Sequence, residues 1–419
     1  MCHVRLILTF LNQSCLIFRK EGILMSLNNE IRKIAAHIAG NLTNIRRDIH
    51  SFPELGFEEK RTCRKITGLL KQIGMNQIRS PVAGTGVIGL LPGAKGRGRT
   101  VALRADMDAL PIQEENDVPY KSRNPGVMHA CGHDAHIAML LGAAMILKRL
   151  QNEIRGQVKF IFQPAEERLN GAQQMIRAGC LENPKVDAIF ALHVDPELDF
   201  GMVRCAAGPV WAACDSFEIE IVGRGGHAAY HFKCIDPILV ANEIYIGLRN
   251  IERSLKGTDA RVISVCSIHG GTAFNIIPDR ITMKGTVRTF DKKVQATIIR
   301  RMREIVRGIF SAHGAKAKII YQKGVPATVN DSKINDLIWR AAREIGNPIV
   351  KAVPGMGGED FSYYQQLTPG AIAQIGVRIG KIHPSLHNSR FDAGDRILPI
   401  GAALLAKCAL AGLNAEVSA

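Results

Sequence analysis

From Leu27 to about residue 215, short apolar strands alternate with amphipathic helices; the pattern then changes, and it resumes after about Val325. Alternation of this kind predicts an α/β sheet with helices on its faces. Ile31, Ile34, Ala35, Ile38, Leu42, Ile45 and Ile49 recur every three or four residues, which predicts a helix from Leu27 to about His50. A second helix is expected over Glu58–Ile73, a third after His136 and a short one near Ala172–Ala178. Strands are expected at Gly86–Leu91, Thr100–Arg104, Gln157–Phe162 and Asp187–His193. In the intervening stretch Ser216–Val222 alternates like a half-exposed strand and Ile235–Arg253 is helical. Arg261–Ile268 and Arg280–Phe290 read as paired strands. A helix then carries Val294, Ile298, Met302, Ile305 and Ile309 on one face, and Lys316–Tyr321 reads as a strand. The order β-α-β-β-α-β is the ferredoxin-like arrangement. A helix at Ile334–Ile345, a strand at Ala371–Val377 and a helix at Ile397–Leu413 complete the pattern. The reading is one α/β domain (residues 26–215 and 326–419) interrupted by an inserted α+β domain (216–325), with residues 1–25 as an extension outside the fold.

A chain of 419 residues is long enough for two cores. With 46% hydrophobic and 22% charged residues its composition is that of a soluble globular protein. Its ten cysteines are scattered and form no CxxC pair, which argues against a disulfide framework and for mostly buried thiols in a reducing compartment. The net charge of +16 raises acidic partners. The basic residues are spread, however: Arg300, Arg301, Arg303 and Arg307 lie on the polar side of an amphipathic helix. No nucleic-acid partner is expected. Val4–Phe18 is apolar but interrupted by Arg5, Asn12, Gln13 and Ser14, so neither a membrane span nor a signal peptide is expected. The expectation is a cytoplasmic protein.

The chemistry concentrates in Met128–His136 (MHACGHDAH), which carries one thiol, three imidazoles and a carboxylate. A long apolar run, Ile137–Leu150, follows at once. That places Cys131 and His133 on the turn into a helix, where backbone N–H groups and the helix dipole favour anionic ligands. Gln163-Pro-Ala-Glu-Glu167 puts adjacent carboxylates at a strand end, His193 ends the next strand, and His387 sits in a polar C-terminal loop. Adjacent side chains cannot point the same way, so one glutamate could ligate metal while the other faces a bound water. Thiolate, imidazole and carboxylate together suit zinc, manganese, cobalt or nickel rather than calcium. Asp106 and Asp108 also follow a strand, where open α/β sheets place ligands. Taken singly each has an ordinary structural reading; jointly they point to a metal centre.

Eight motifs carry a resemblance to a known family. They are Arg104–Glu114 (RADMDALPIQE), Met128–His136, Phe162–Glu167 (FQPAEE), Ala191–His193 (ALH), Gly225–Ala229 (GGHAA), Gly270–Asp279 (GGTAFNIIPD), Gly358–Phe361 (GEDF) and Leu386–Asn388 (LHN). From about Ile45 to Ala403 the chain resembles the hippurate hydrolase and indole-acetyl-amino-acid hydrolase family of dinuclear amidohydrolases, grouped with the aminoacylases and acetylornithine deacetylases. The resemblance implies a mixed-sheet metallopeptidase-type catalytic domain and an inserted lid or dimerisation domain. It implies two divalent metal ions, manganese or zinc with nickel and cobalt also suited, held by Cys131, His133, Glu167, His193 and His387, with Cys131 bridging. Glu166 is the implied general base and Asp108 a supporting residue near the site. His227 is the implied oxyanion donor, and Asn275 and Arg288 the implied partners of a substrate carboxylate. The implied reaction is hydrolysis of an N-acyl amino acid by a homodimer or higher oligomer.

One departure stands out. The family commonly reads Gly-His-Ala-Ala-x-Pro-His, whereas this chain has Gly226-His-Ala-Ala-Tyr-His-Phe-Lys233, with His231 at the proline position and Phe232 at the second histidine. Losing the proline frees the backbone there and bears on lid contact or substrate range. The alternative to an enzyme is a catalytically inactive metal-bearing binding protein of the same fold. An intact Glu166 beside a complete ligand set argues against it.

Overall fold

The computed structural model describes residues 2–256, 260–381 and 383–415, with side chains from Ser26 onward. The expected extension, residues 1–25, lies outside the described side chains. The chain divides into two compact units, one of Met1–Ala207, Asn330–Ala352 and Tyr364–Ala419, the other of Gly208–Val329 and Val353–Tyr363.

In chain order the first unit begins with α1 (Cys2–Ser51), α2 (Lys60–Gln72), β1 (Gln77–Val82), β2 (Gly86–Pro92), β3 (Thr100–Asp106) and α3 (His133–Arg149). It continues with β4 (Gln157–Gln163), α4 (Gly171–Arg177), β5 (Ala188–Asp199) and β6 (Val203–Cys205). The second unit holds β7 (Gly208–Trp211), β8 (Ala213–Val222), β9 (Gly226–His227), α5 (Pro237–Ser254), β10 (Arg261–His269), β11 (Ile276–Ile277), β12 (Arg280–Thr289), α6 (Lys292–His313) and β13 (Lys316–Val325). β14 (Thr328–Asn330) leads back to α7 (Ser332–Glu344), β15 (Ile349–Lys351), α8 (Ser362–Gln365), β16 (Gly370–Arg378) and α9 (Leu398–Leu413).

An eight-stranded mixed sheet, ordered β1-β2-β4-β3-β5-β16-β6-β15, forms the first unit. β3, β4, β5 and β16 run parallel in its middle. Their sequences are near-continuous apolar runs because both faces are covered; all seven residues of β3 are buried. β1, which carries Pro81 and is largely exposed, takes the edge, where a missing N–H costs no ladder bond. Strands of three residues, β6 and β15, were not foreseen because so short a run carries no period.

Helices α1, α3 and α9 pack together over one face. Both α3 and α9 are buried on nearly every side, which explains their lack of a polar face. Their close approach depends on Gly142: a Cβ there would lie 2.6 Å from Ala402 Cβ and 2.9 Å from Leu42 Cδ1. β5 differs from expectation. It was read as ending at His193, but it runs on to Asp199 by pairing with β16, which leaves His193 inside the strand.

The second unit is built on an antiparallel sheet ordered β10-β12-β8-β13, with α5 and α6 packed on it. Numbered within the unit's β-α-β-β-α-β run, that order is second, third, first, fourth, as in the ferredoxin-like arrangement. Phe217, Ile219, Ile221, Ile244, Leu248 and Met302 form its core. Asp236 and Asp291 cap the helix starts by accepting backbone N–H bonds, and Gly314 ends α6 in the left-handed conformation. Two-stranded ribbons pair β9 with β11 and β7 with β14. Among the described residues no helix is long and apolar enough to cross a membrane.

Gly142→Val is expected to destabilise the protein by roughly 1–3 kcal/mol through overpacking. Gly308→Ala on α6, where an added Cβ meets nothing within 4 Å, is expected to stabilise it by up to about 1 kcal/mol. Denaturant unfolding of the two variants checks both signs.

Candidate metal centre

The first unit gathers its polar groups where β3 and β4 end and α3 begins. Gly132 is the N-cap of α3, with φ of 83°. A Cβ there would sit 2.5 Å from Val194 Cγ2, so glycine is required both for the turn and for the approach to β5. This turn sets Cys131 and His133 at the helix start, both buried. On the strand opposite, His193 Nε2 lies 3.5 Å from Cys131 Sγ. The Gln163–Glu167 turn follows β4 through Ala165, whose φ of 52° is left-handed. The Ala165 N–H donates to Glu59 Oε1 at 2.9 Å, and the next two N–H groups donate to Asp108. His387, also left-handed at φ 63°, is tied to the same region by its N–H to Ala130 O at 2.9 Å. Left-handed non-glycine residues cluster at functional sites, where surrounding bonds hold them against their preference.

Two donor sets share the thiol. Ligand atoms of Cys131, His133 and His193 lie within 4.8 Å of one another, and so do those of Cys131, Glu167 and His387. Glu166 joins His133 and Glu167 in a third such group. Second bonds fix the tautomers. His133 Nδ1 donates to Asp108 O at 2.9 Å and His193 Nδ1 donates to Val194 O at 2.7 Å, which turns each Nε2 lone pair into the cluster. Residues at five expected ligand positions are therefore brought together. His133 Nε2 and Glu167 Oε1 are buried without a hydrogen bond, 4.0 Å apart. Glu167 Oε1 also lies 3.3 Å from His387 Nε2, so imidazole, carboxylate and thiol converge in one place, a donor set that suits a divalent cation.

The electrostatics agree. His387 is pushed up to about 10 by the Cys131 sulfur and Glu167 beside it. Burial opposes ionisation of Glu167, yet His387 and His133 outweigh it and hold that carboxyl below its ordinary range. Burial likewise opposes the charged form of Asp106, and His133, His136 and Arg104 outweigh it.

The remaining residues of the dense motif do not face the donor sets equally. His136 donates from Nδ1 to Asp106 Oδ1 at 2.6 Å and accepts the Val194 N–H at Nε2, so it braces the strand that carries His193. Burial drives it down to about 4 and His129 down to about 3; neither ring nitrogen of His129 has a hydrogen bond. Asp106 proves to be a buried partner of Arg104 and His136 rather than a loop cap.

In the second unit, His227 and Asn275 meet on one ribbon. His227 pairs with Ile276 and the Ala228 N–H donates to Asn275 O at 3.1 Å. Arg288 lies on β12 opposite Cys214, and its guanidinium contacts Thr286 Oγ1. Without proline at 231, residues Ala228–Lys233 form a short 3-10 stretch with a kink at Tyr230. Tyr230 and Phe232 stand 54% and 71% exposed there, under the ammonium of Lys233.

The sequence pattern of Peptidase family M20/M25/M40 matches residues 102–411. N-acetylcysteine deacetylase of Bacillus subtilis is 40% identical over 337 residues, covering 80% of this chain and 88% of its own. IAA-amino acid hydrolase ILR1-like 4 of Arabidopsis thaliana is 40% identical over 378 residues, covering 88% of this chain and 84% of its own. The crystal structure of Bacillus subtilis YXEP, a dinuclear metal-binding peptidase from the M20 family, superposes with a TM-score of 0.81 at 36% identity, over 91% of this chain and 100% of that one.

Behind Asp134, His50 of α1 faces a carboxylate at each ring nitrogen: Nδ1 lies 2.7 Å from Asp134 Oδ2 and Nε2 3.1 Å from Glu114 Oε1, and the imidazolium donates to both. Burial opposes the imidazolium, but Asp134 chiefly outweighs it and raises His50 to about 9. A raised histidine stabilises the fold fully below its unfolded value near 6.5, and that contribution is lost as pH rises through 9. At about 1.4 kcal/mol per unit, the stability difference between wild type and His50→Gln is expected to shrink by roughly 3 kcal/mol from pH 6 to pH 10. Urea unfolding of both proteins in chelator measures it; a difference independent of pH counts against the ion pair.

Proposed function

The chain belongs to Peptidase family M20/M25/M40, and we propose that within it the protein is a two-metal amidohydrolase that cleaves the amide bond of N-acyl amino acids. The observation that carries the reading is the pair of donor sets sharing Cys131, with the Glu166 carboxylate grouped beside them. Cys131, His133, Glu167, His193 and His387 would hold two divalent cations, which supply Lewis acidity and lower the pKa of water.

Glu166 then has one task in two directions. It accepts a proton from the water whose oxygen adds to the amide carbonyl carbon. It returns that proton to nitrogen as the carbon–nitrogen bond breaks, releasing a carboxylic acid and an amino acid. Asp108 holds Glu166 for this task. Its Oδ1 accepts the Glu166 N–H and its Oδ2 the Glu167 N–H, both at 3.0 Å. One carboxylate thus fixes the backbone of both the base and a ligand, whose carboxylate oxygens lie within 4.8 Å of each other.

Substrate roles in the second unit follow the same reading: His227 donates to the oxyanion, and Asn275 and Arg288 receive the substrate carboxylate. We also assign this unit a lid and dimer-forming role. Ile238, Leu239, Tyr245 and Ile246 of α5 are exposed, as is Ile268 on the edge strand β10, which supports a protein interface there. N-acyl amino acids are the substrate class consistent with both named relatives; acetyl, benzoyl and indole-acetyl groups all belong to it.

Glu166→Gln is expected to lower kcat by about 10²–10⁴ on N-acyl amino acids while metal content stays at two per chain. Steady-state kinetics with elemental analysis checks it. Wild-type turnover in this variant overturns the mechanism, and chelator is expected to abolish activity reversibly.

A further inference from the structure

Arg46 is a charged residue of the buried face of α1, 1% exposed, and no step above uses it. Its fork reaches the first turn of α3 and a C-terminal loop. Nε donates to Asp134 Oδ2 at 2.6 Å, and Nη2 donates to Asp392 Oδ1 at 2.6 Å, with Asp395 Oδ1 3.4 Å from Nη1. Asp134 follows His133 directly in the first turn of α3. Asp392 lies five residues beyond His387 in the loop between β16 and α9. These partners are 88 and 346 residues away in sequence, so nothing local brings them together.

We infer that Arg46 is the positioning residue that sets the His387 loop against the Cys131–His133 turn, and so completes the second donor set. This rests on the two-metal reading above. The two donor sets differ in how firmly they are held. His133 is pinned by Asp108 and His193 by Val194, both from buried surroundings. The side chain of His387 is 51% exposed, and its loop is tied at His387 N–H to Ala130 O, at Ser389 O and Phe391 O to Glu115 and Asn116, and at Arg390 to Glu115. None of these bonds reaches Asp134; the clamp on Asp392 is what joins this loop to the residue that follows His133. Asp392 is itself oriented, since its Oδ2 accepts the Tyr120 hydroxyl at 2.6 Å and its Oδ1 the Gly394 N–H at 2.9 Å. The Tyr120 ring also lies under the Arg46 guanidinium, 4.9 Å from its carbon. The planar fork reaches the two aspartates from separate nitrogens, Nε and Nη2, whereas a lysine carries all its donors on one nitrogen. Without the guanidinium, Asp134 and Asp392 become two anions with no cation between them, and Asp392, the less buried of the two, lies on the loop bearing His387.

The test is a titration of metal-free protein with Co²⁺, following thiolate-to-cobalt absorption in the near ultraviolet and the visible cobalt bands. Wild type is expected to bind two equivalents. Arg46→Met, Arg46→Lys and Asp392→Asn are expected to keep the first equivalent unchanged and to bind the second at least tenfold more weakly, a size usual for residues that orient ligands. His387→Ala gives the reference spectrum for a lost second ion, and adding Arg46→Met to it is expected to change nothing further. If Arg46→Met does not fold, Arg46→Lys and the partly exposed Asp392→Asn carry the test. Two equivalents bound with wild-type affinity and spectrum in these variants, even at a lowered melting temperature, make Arg46 a purely structural residue and overturn the inference. Failure of the wild type to bind two equivalents instead overturns the two-metal reading itself.

Discussion

Asp108 is the contact on which the geometry of the centre turns. A single buried carboxylate accepts the N–H groups of two consecutive residues and lies 3.3 Å from His133 Nδ1, while its own carbonyl oxygen receives that ring's proton. Two segments distant from it in sequence, the start of α3 and the Glu166–Glu167 turn, are thereby fixed to one residue. Glu59 does the same one residue earlier, accepting the Ala165 N–H and the Thr85 hydroxyl. The turn bearing Glu166 and Glu167 is thus held by bonds to its backbone rather than through the two glutamate carboxylates. Burying so many polar groups is costly unless each finds a partner, and here the partners are charged.

Much of this was legible in the sequence because it is local. The donor-rich turn, the paired glutamates and the strand ends announce themselves within a few residues, and strong apolar periodicity located nearly all the long elements. What escaped depends on distance. His193 was placed at a strand end, since nothing in Asp187–His193 reveals that β16 will prolong the ladder to Asp199. The bracing of His193 by His136, and the pairing of Asp106 with Arg104, require knowing which strands are neighbours. Arg46 and His50 did leave a trace: they continue the row begun by buried Leu42 at intervals of four, where a solvated residue does not belong. A cation on an apolar stripe is a prediction of a buried anion, though it does not say which.

The likeness to M20 enzymes and the chemistry of the residues meet at the class of reaction and no further. The donor sets explain why an amide can be hydrolysed. On the proposed reading the acyl group would be recognised by surfaces that metal chemistry does not constrain; the chain departs from its resemblance at His231 and Phe232, outside the donor sets. Proline replaced by histidine, with two aromatic rings exposed beside it, alters a surface while leaving every donor in place.

The strand order of the mixed sheet has a bearing on synthesis. β6 leaves the ribosome before the whole second unit, yet its partners in the sheet, β16 and β15, come after it. The four-stranded sheet of the second unit, by contrast, takes all its strands from one uninterrupted stretch. A nascent chain can therefore finish the later domain's sheet first, while β5 waits with an open flank and the centre lacks its last imidazole. On the two-metal reading, vectorial translation would make the centre a late checkpoint: a chain cut short before His387 keeps most of the donors but cannot close the second set.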